Sequence, residues 1–207
     1  NYIRNNKAIN GILIKGREFK VAQFADDTTC FVKDIQSLKN TLDSLEAFYK
    51  ISGLKMNRDK SEAQYLGSLK GNEKSPFKLK WTTEPLKSLG VFYCEDINKS
   101  MELNYLPKIK DLNTILNIWR QRDLSIKGKI TIVKSLALPK LLYISSVTAV
   151  PAEVVKVVSD IISDFIWSGR KPKIKKGVLC RDIDQGGLKL IDFGSLVKVQ
   201  KVIWGKR

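Results

Sequence analysis

Asp26 and Asp27 are the residues of this chain whose type and spacing best suit chemistry. Two adjacent acids in a tight turn repel each other, and a turn built only for shape would favour Asn-Gly or Asp-Gly. A divalent cation would offset the repulsion. Magnesium takes oxygen ligands in octahedral geometry and commonly uses one or two carboxylates together with substrate phosphates. A solvated acidic turn is the plain alternative. The rest of the composition narrows the choice. There is no histidine, which excludes Ser-His-Asp and Cys-His catalysis within the chain and any histidine-ligated zinc. The cysteines Cys30, Cys94 and Cys180 are too few for a four-thiolate zinc site. They are odd in number and far apart, which argues against a disulfide framework and fits a reducing compartment. Chemistry must rest on carboxylates, lysines, hydroxyls or a metal held by carboxylates.

The elements around the two acids follow from periodicity. Residues 17–25 alternate, with Phe19, Val21 and Gln23 on one face and Lys20, Ala22 and Phe24 on the other, the pattern of a strand. Residues 28–32 are rich in β-branched and aromatic side chains and read as a second strand. With only Asp26 and Asp27 between them, the two acids form the turn of a tight hairpin. Ile35, Leu38, Leu42, Leu45 and Phe48 or Tyr49 then recur at helical spacing, with Asp34 placed to cap the helix and Gly53 to end it. Residues 67–78, with Gly67, Gly71, Asn72, Ser75 and Pro76, read as a loop. Short strands are expected over 77–81 and 86–93, turning through Thr83, Glu84 and Pro85.

From about residue 103 the character becomes helical. Leu106, Ile109, Leu112, Leu116 and Trp119 form one stripe. A second helix starts near Ser125, and Pro139 ends or kinks it. A third follows Pro151, with Val154, Val155, Val158, Ile161, Ile162, Phe165 and Ile166 inward. Gly186 and Gly187 mark a turn beyond it. The fold class is α+β, strands with one helix followed by a mostly helical region, with the boundary near residue 100.

At 207 residues and 43% hydrophobic the chain can bury a core. Its formal charge of +16 favours a polyanionic partner, nucleic acid ahead of an anionic membrane surface. No apolar run is long enough to span a bilayer, and residues 1–16 lack the layout of a signal peptide, so no membrane partner and no targeting signal are expected. The chain starts at Asn1, not methionine, and stops at Lys206 and Arg207 inside a helical pattern, and we read it as a piece of a longer protein. Lys127 and Lys134 are spaced to share a helical face with Lys129 on its flank, and such a face can track a phosphate backbone. Arg170, Lys171, Lys173, Lys175 and Lys176 crowd one short stretch that reads as an electrostatic footprint for RNA or DNA, or as a solvated linker. Trp119 and Trp167 lie in apolar stripes and are expected in the core.

Phe24-Ala25-Asp26-Asp27, with a strand on each side, resembles the catalytic hairpin of reverse transcriptases. Further segments in order resemble the non-LTR (LINE-type) retrotransposon polymerases. Ile9-Asn10-Gly11-Ile12 precedes the hairpin as it does there. The stretch from Ser52 through Asn57 and Lys60 to Ser61 is similar to the next palm motif, and Leu89-Gly90-Val91 to the primer-grip hairpin. The stretch from Leu124 to Ile130 and Leu138-Pro139-Lys140 resemble the thumb. Phe165-Ile166-Trp167 and Gly186-Gly187-Leu188 resemble the segment beyond it. The stretches 52–61 and 165–188 argue against a group II intron-type or retroviral-type enzyme.

The resemblance implies a partial right-hand polymerase: palm over 1–100 with catalytic and primer-grip hairpins, helical thumb over 101–168, and a basic, truncated post-thumb segment over 169–207. It implies RNA-directed DNA polymerisation by two-metal nucleotidyl transfer with Mg²⁺, or Mn²⁺ in its place. Asp26 would be the principal metal ligand and Asp27 the second acid, with Lys60 near the leaving phosphates. Leu89, Gly90 and Val91 would grip the primer, Gly90 by permitting close backbone approach. Asn57 would fix its loop by side-chain to backbone hydrogen bonds. Partners would be an RNA template, a DNA primer or target, deoxynucleoside triphosphates and the N-terminal part of the same polyprotein. That part would carry a further palm aspartate and the fingers. The family works inside the cell, in the nucleus or in ribonucleoprotein. A catalytically dead remnant that only binds nucleic acid stays open.

Overall fold

The computed structural model describes residues 2–69, 76–94 and 96–205. Gly71, Asn72 and Ser75 of the expected loop, and the terminal Lys206 and Arg207, lie outside the described residues. The chain divides into two compact units, Asn1–Leu89 and Gly90–Arg207. It mixes helices with short strands, as an α+β chain does.

The first unit runs α1 (Tyr2–Asn5), β1 (Ile12–Ile14), β2 (Arg17–Phe19), β3 (Val21–Phe24), β4 (Asp27–Cys30), α2 (Ile35–Ser52), β5 (Glu62–Ala63), β6 (Lys80–Trp81) and β7 (Leu86–Ser88). β1 pairs antiparallel with β2, and β3 with β4. The expected strand over 17–25 is therefore two strands, broken at Lys20. Lys20 turns inward to 9% exposure, and its ammonium reaches the Asn6 carbonyl at 2.9 Å and Glu18 at 3.2 Å. The inward turn ends one pairing and begins the next.

The strand around Lys80 also differs from expectation. It does not fold back through Thr83–Pro85 onto the next strand; β6 pairs in parallel with β5, Glu62 opposite Lys80 and Ala63 opposite Trp81. The stacked rings of Tyr65 and Trp81, 4.1 Å between centroids, sit beside this pairing. Trp81 Nε1 donates to the Pro76 carbonyl at 3.1 Å.

α2 has the expected ends. Asp34 accepts from the Ser37 N–H at 2.7 Å, and Gly53 closes the helix at φ 74°. The face it buries is polar: Ser37, Thr41 and Ser44. The apolar stripe is left half-buried or exposed, Phe48 at 51%.

The second unit runs β8 (Val91–Tyr93), α3 (Ile97–Ser100), a π turn over Met101–Tyr105, α4 (Leu106–Arg120), α5 (Ile126–Ile132), a second π turn over Val133–Ala137, α6 (Pro139–Val147), α7 (Ala152–Trp167), α8 (Lys176–Leu179) and α9 (Phe193–Gly205). One core joins them. Leu112 and Leu116 of α4, Leu141 of α6, Val158 and Phe165 of α7 and Phe193 of α9 all belong to it, and Trp167 closes its edge. Ser125 caps α5 by accepting from the Gly128 N–H at 3.2 Å. The bend expected at Pro139 is 48°. Proline lacks the N–H that would continue the helix, and the preceding π turn closes through the Leu138 N–H on the Val133 carbonyl at 2.9 Å.

Two boundaries lie elsewhere than the sequence suggests. The units divide at Leu89/Gly90 instead of near residue 100, because Val91 is fully buried in the helical core. The Asn104 side chain also brackets Phe92, accepting from its N–H at 2.9 Å and donating to its carbonyl at 2.8 Å. The stretch after 169 is not a separate segment, because Leu179, Leu190 and Phe193 are buried in that same core. Gly187 makes its turn possible: a Cβ there would lie 2.1 Å from the Arg181 carbonyl oxygen.

Among the described residues no single helix is long and apolar enough to cross a membrane. The bent pair of α5 and α6 reaches the needed length only across its 48° break.

Candidate functional site

The hairpin of β3 and β4 presents the two acids at its tip. Phe24 pairs with Asp27, so the turn residues are Ala25 and Asp26, and Asp27 opens β4. The two-residue turn stands, shifted by one position from the expected Asp26-Asp27. Ala25 carries φ 51°, a left-handed conformation that costs a residue with a Cβ. Strain of this kind persists where the surroundings over-determine it, and it clusters at functional turns. Asp26 and Asp27 are both exposed. Among the described residues neither carboxylate has a hydrogen bond or an ion pair. No cation among the described residues offsets their mutual repulsion by an ion pair, and their oxygens can accept.

The root of the hairpin is held by residues whose role the periodicity did not reveal. Gly11 passes so close to β2 that a Cβ would sit 2.3 Å from the Phe19 carbonyl oxygen. Its N–H donates to Glu18 at 2.8 Å. This bond, then Lys20, holds the Glu18 carboxyl below the usual carboxylate range. Asn10 joins the hairpin to α2: its N–H donates to Ser37 Oγ at 2.9 Å, and its carbonyl accepts from Lys33 at 2.9 Å. Ile9 beside it is fully buried. The Ile9-Asn10-Gly11 run therefore works as a brace. The available signals were a lysine interrupting an alternating strand and an Asn-Gly pair ahead of it.

Lys60 is exposed, and its backbone N–H is held by Asn57 Oδ1 at 3.1 Å. Ser61 Oγ donates to the Asn57 carbonyl at 2.6 Å, so Asn57 fixes this loop as expected. Leu89 and Gly90 both carry left-handed φ, 50° and 78°, the pattern of a type I′ turn. A Cβ on Gly90 would meet no protein atom within 4 Å, and the turn needs the glycine for its φ. Val91 is core.

The basic residues expected to bind nucleic acid separate into two groups. Lys129 is committed to the end of α7: its ammonium donates to Ser168 Oγ at 2.6 Å and to the Ile166 carbonyl at 3.3 Å. A cation there meets the unsatisfied carbonyls and the negative end of the helix dipole. Lys176 is ion-paired with Asp192. Desolvation would raise the Asp192 carboxyl, but the bonds from Lys176 and from the Ser195 N–H and hydroxyl hold it at about 2. Lys127, Lys134, Arg170, Lys171, Lys173 and Lys175 have no polar side-chain partner among the described residues. These six are among the cations open to a polyanion.

Carboxylates are the right donors for magnesium, and the unpaired Asp26 and Asp27 fit part of its shell. Among the described residues no group of three acids or cysteines converges on one point. No protein-family model matches the chain.

Proposed function

We propose that this chain is part of an RNA-directed DNA polymerase of the non-LTR retrotransposon type, the back of the palm followed by the thumb and the segment after it. One observation carries the reading. Two adjacent, exposed carboxylates without partners among the described residues stand at the tip of a braced hairpin whose turn is strained at Ala25. A turn of that make has no evident use in stabilising the first unit.

In this reading Asp26 holds metal and Asp27 supplies the second acid, joined by a further aspartate from the upstream palm. Magnesium, when bound, supplies the Lewis acidity that lowers the pKa of the primer 3′-hydroxyl and neutralises charge on the triphosphate. Catalysis of this kind rests on positioning and charge stabilisation rather than on a protein nucleophile. The chain's own contributions are the rigid hairpin root, Lys60 as a positive charge near the leaving phosphates, and the Leu89-Gly90-Val91 hairpin at the primer. Lys127 and Lys134, with the cations of 170–176, track the nucleic-acid backbone without reading its sequence.

A second reading, a remnant that binds nucleic acid without catalysis, is supported by the formal charge of +16, which serves binding whether or not the metal site is complete. Primer extension on an RNA template with magnesium separates the two. The chain alone is expected to be inactive. A longer form carrying the upstream palm and fingers is expected to be active and to lose activity on Asp26→Asn. Full activity in that variant would refute the metal-ligand assignment, and an inactive longer form would favour the remnant.

A further inference from the structure

We propose that the second unit carries a docking site for an acidic peptide bearing one large apolar side chain, in the hollow between α7, the 170–176 loop and the start of α9. The hollow measures about 310 Å³, at the small end of pockets that bury a ligand of roughly 300–1,000 Å³. Its floor is apolar: Ile162 and Ile166 of α7, Leu190, and Phe193 of α9. Its mouth is basic: Lys173, Lys175 and Lys176 line it, and Arg170 and Lys171 stand in the same loop.

Charge complementarity selects the occupant. Lys176 is already neutralised by Asp192. Arg170, Lys171, Lys173 and Lys175 have no acid among the described residues. The apolar hollow therefore has two free cations in its lining, Lys173 and Lys175, with Arg170 and Lys171 in the same loop. A phosphate backbone asks only for the cations. Apart from the lysines, the lining offers a nucleobase the Ser159 and Ser163 hydroxyls and the Trp167 indole as polar side-chain groups, and any polar edge left unpaired there is costly to bury. An aliphatic or aromatic side chain has no such edges, and Asp or Glu residues flanking it would meet the lysines. The inference does not rest on the polymerase reading, and a peptide seated here would compete with nucleic acid for Lys173 and Lys175.

The test uses the full chain and a short fluorescent synthetic peptide with one Phe between runs of Glu, a matched peptide with Ala in place of Phe, and a single-stranded RNA oligonucleotide as competitor. The Phe peptide is expected to bind about ten- to hundredfold more tightly than the Ala peptide, the effect of burying one large apolar side chain. Lys173→Glu with Lys175→Glu should abolish binding, and Ser163→Phe, which fills the hollow, should weaken the Phe peptide to the level of the Ala peptide. Should Ser163→Phe not fold, the Phe-to-Ala ratio on the unaltered chain decides. Equal affinity for the two peptides would overturn the proposal, as would no binding at all. So would an intact Phe-to-Ala ratio in folded Ser163→Phe, since the Phe side chain would then be seated outside the hollow; equal affinity for the two peptides together with their displacement by RNA would make the loop a plain phosphate-binding patch.

Discussion

The two units solve the problem of staying folded in different ways. The second buries its large apolar side chains in one core, with Tyr105, Leu112, Leu116, Val158 and Phe165 all at 0% exposure. The first buries mostly polar groups, among them Lys20, Ser37, Thr41 and Ser44, and leaves Ile51 at 88%, Leu13 at 74% and Phe24 at 68% exposure. Hydrophobic burial is non-directional and roughly proportional to area, so the helical unit is held by many interchangeable contacts. The strand-bearing unit is held by a few directional bonds around Asn10, Gly11, Lys20 and Asp34. Its hairpin tip is fixed by geometry rather than by mass of packing, and both acids there are exposed.

This contrast is broken most directly by a paired truncation. Phe165→Ala is expected to destabilise the second unit by about 3–5 kcal/mol, the usual result of emptying a packed aromatic site. Phe48→Ala in the first unit is expected to change stability by about 0.5 kcal/mol or less. Hydrogen-exchange mass spectrometry reads the units separately. Comparable losses in both would show that α2 has a hidden core.

A sharper test reaches the brace. Lys20→Ala removes the cation from the Asn6 carbonyl and from Glu18 and should cost the first unit about 1–3 kcal/mol. Exchange should rise at 11–31 first, and the second unit should not respond. A response confined to α9, or none, would mean the brace is idle.

Charge gives a smaller, pH-dependent effect in the second unit. The Asp192 carboxyl is depressed from its ordinary value of 3.8 to about 2. A depressed carboxyl contributes stability that is complete above its unfolded value and is lost as pH falls through the folded one. The loss should fall between about pH 4 and pH 2. Asp192→Asn should cost about 1 kcal/mol at neutral pH, after allowance for the half-exposed Lys176, and should flatten the acid limb of the unfolding curve over that window. An unchanged limb would remove Asp192 from the account of acid stability.

The most local effect is that of a helix cap. Asp34→Ala removes the acceptor for the Ser37 N–H and should cost about 1 kcal/mol, with faster exchange confined to the first turn of α2.

Much of the second unit was legible in the sequence, because a helix's stripe and caps are local. The α7 stripe runs inward, Ser125 and Pro151 precede their helices, and Pro139 kinks the chain. The same local reading found Asp34, Gly53 and a two-residue turn beside Asp26, since caps and turns depend on a few neighbouring side chains. It set that turn one residue late, because hairpin register is fixed by cross-strand pairing, and Phe24 pairs with Asp27.

What only the tertiary structure decided is everything that depends on distant partners. A lysine's fate is not written in its spacing: Lys129 ends on the carbonyls of α7 and Lys176 on Asp192, while Lys173 and Lys175 stay free beside an apolar hollow. β6 pairs in parallel with β5, and Val91 joins a core built by helices that follow it. The sequence by itself determined the acids, the charge and the helical stripes, because composition and period are properties of the chain. Which cations remain for a ligand depended on contacts tens of residues apart, because an ion pair or a buried side chain is settled by whichever partner the folded chain brings within reach.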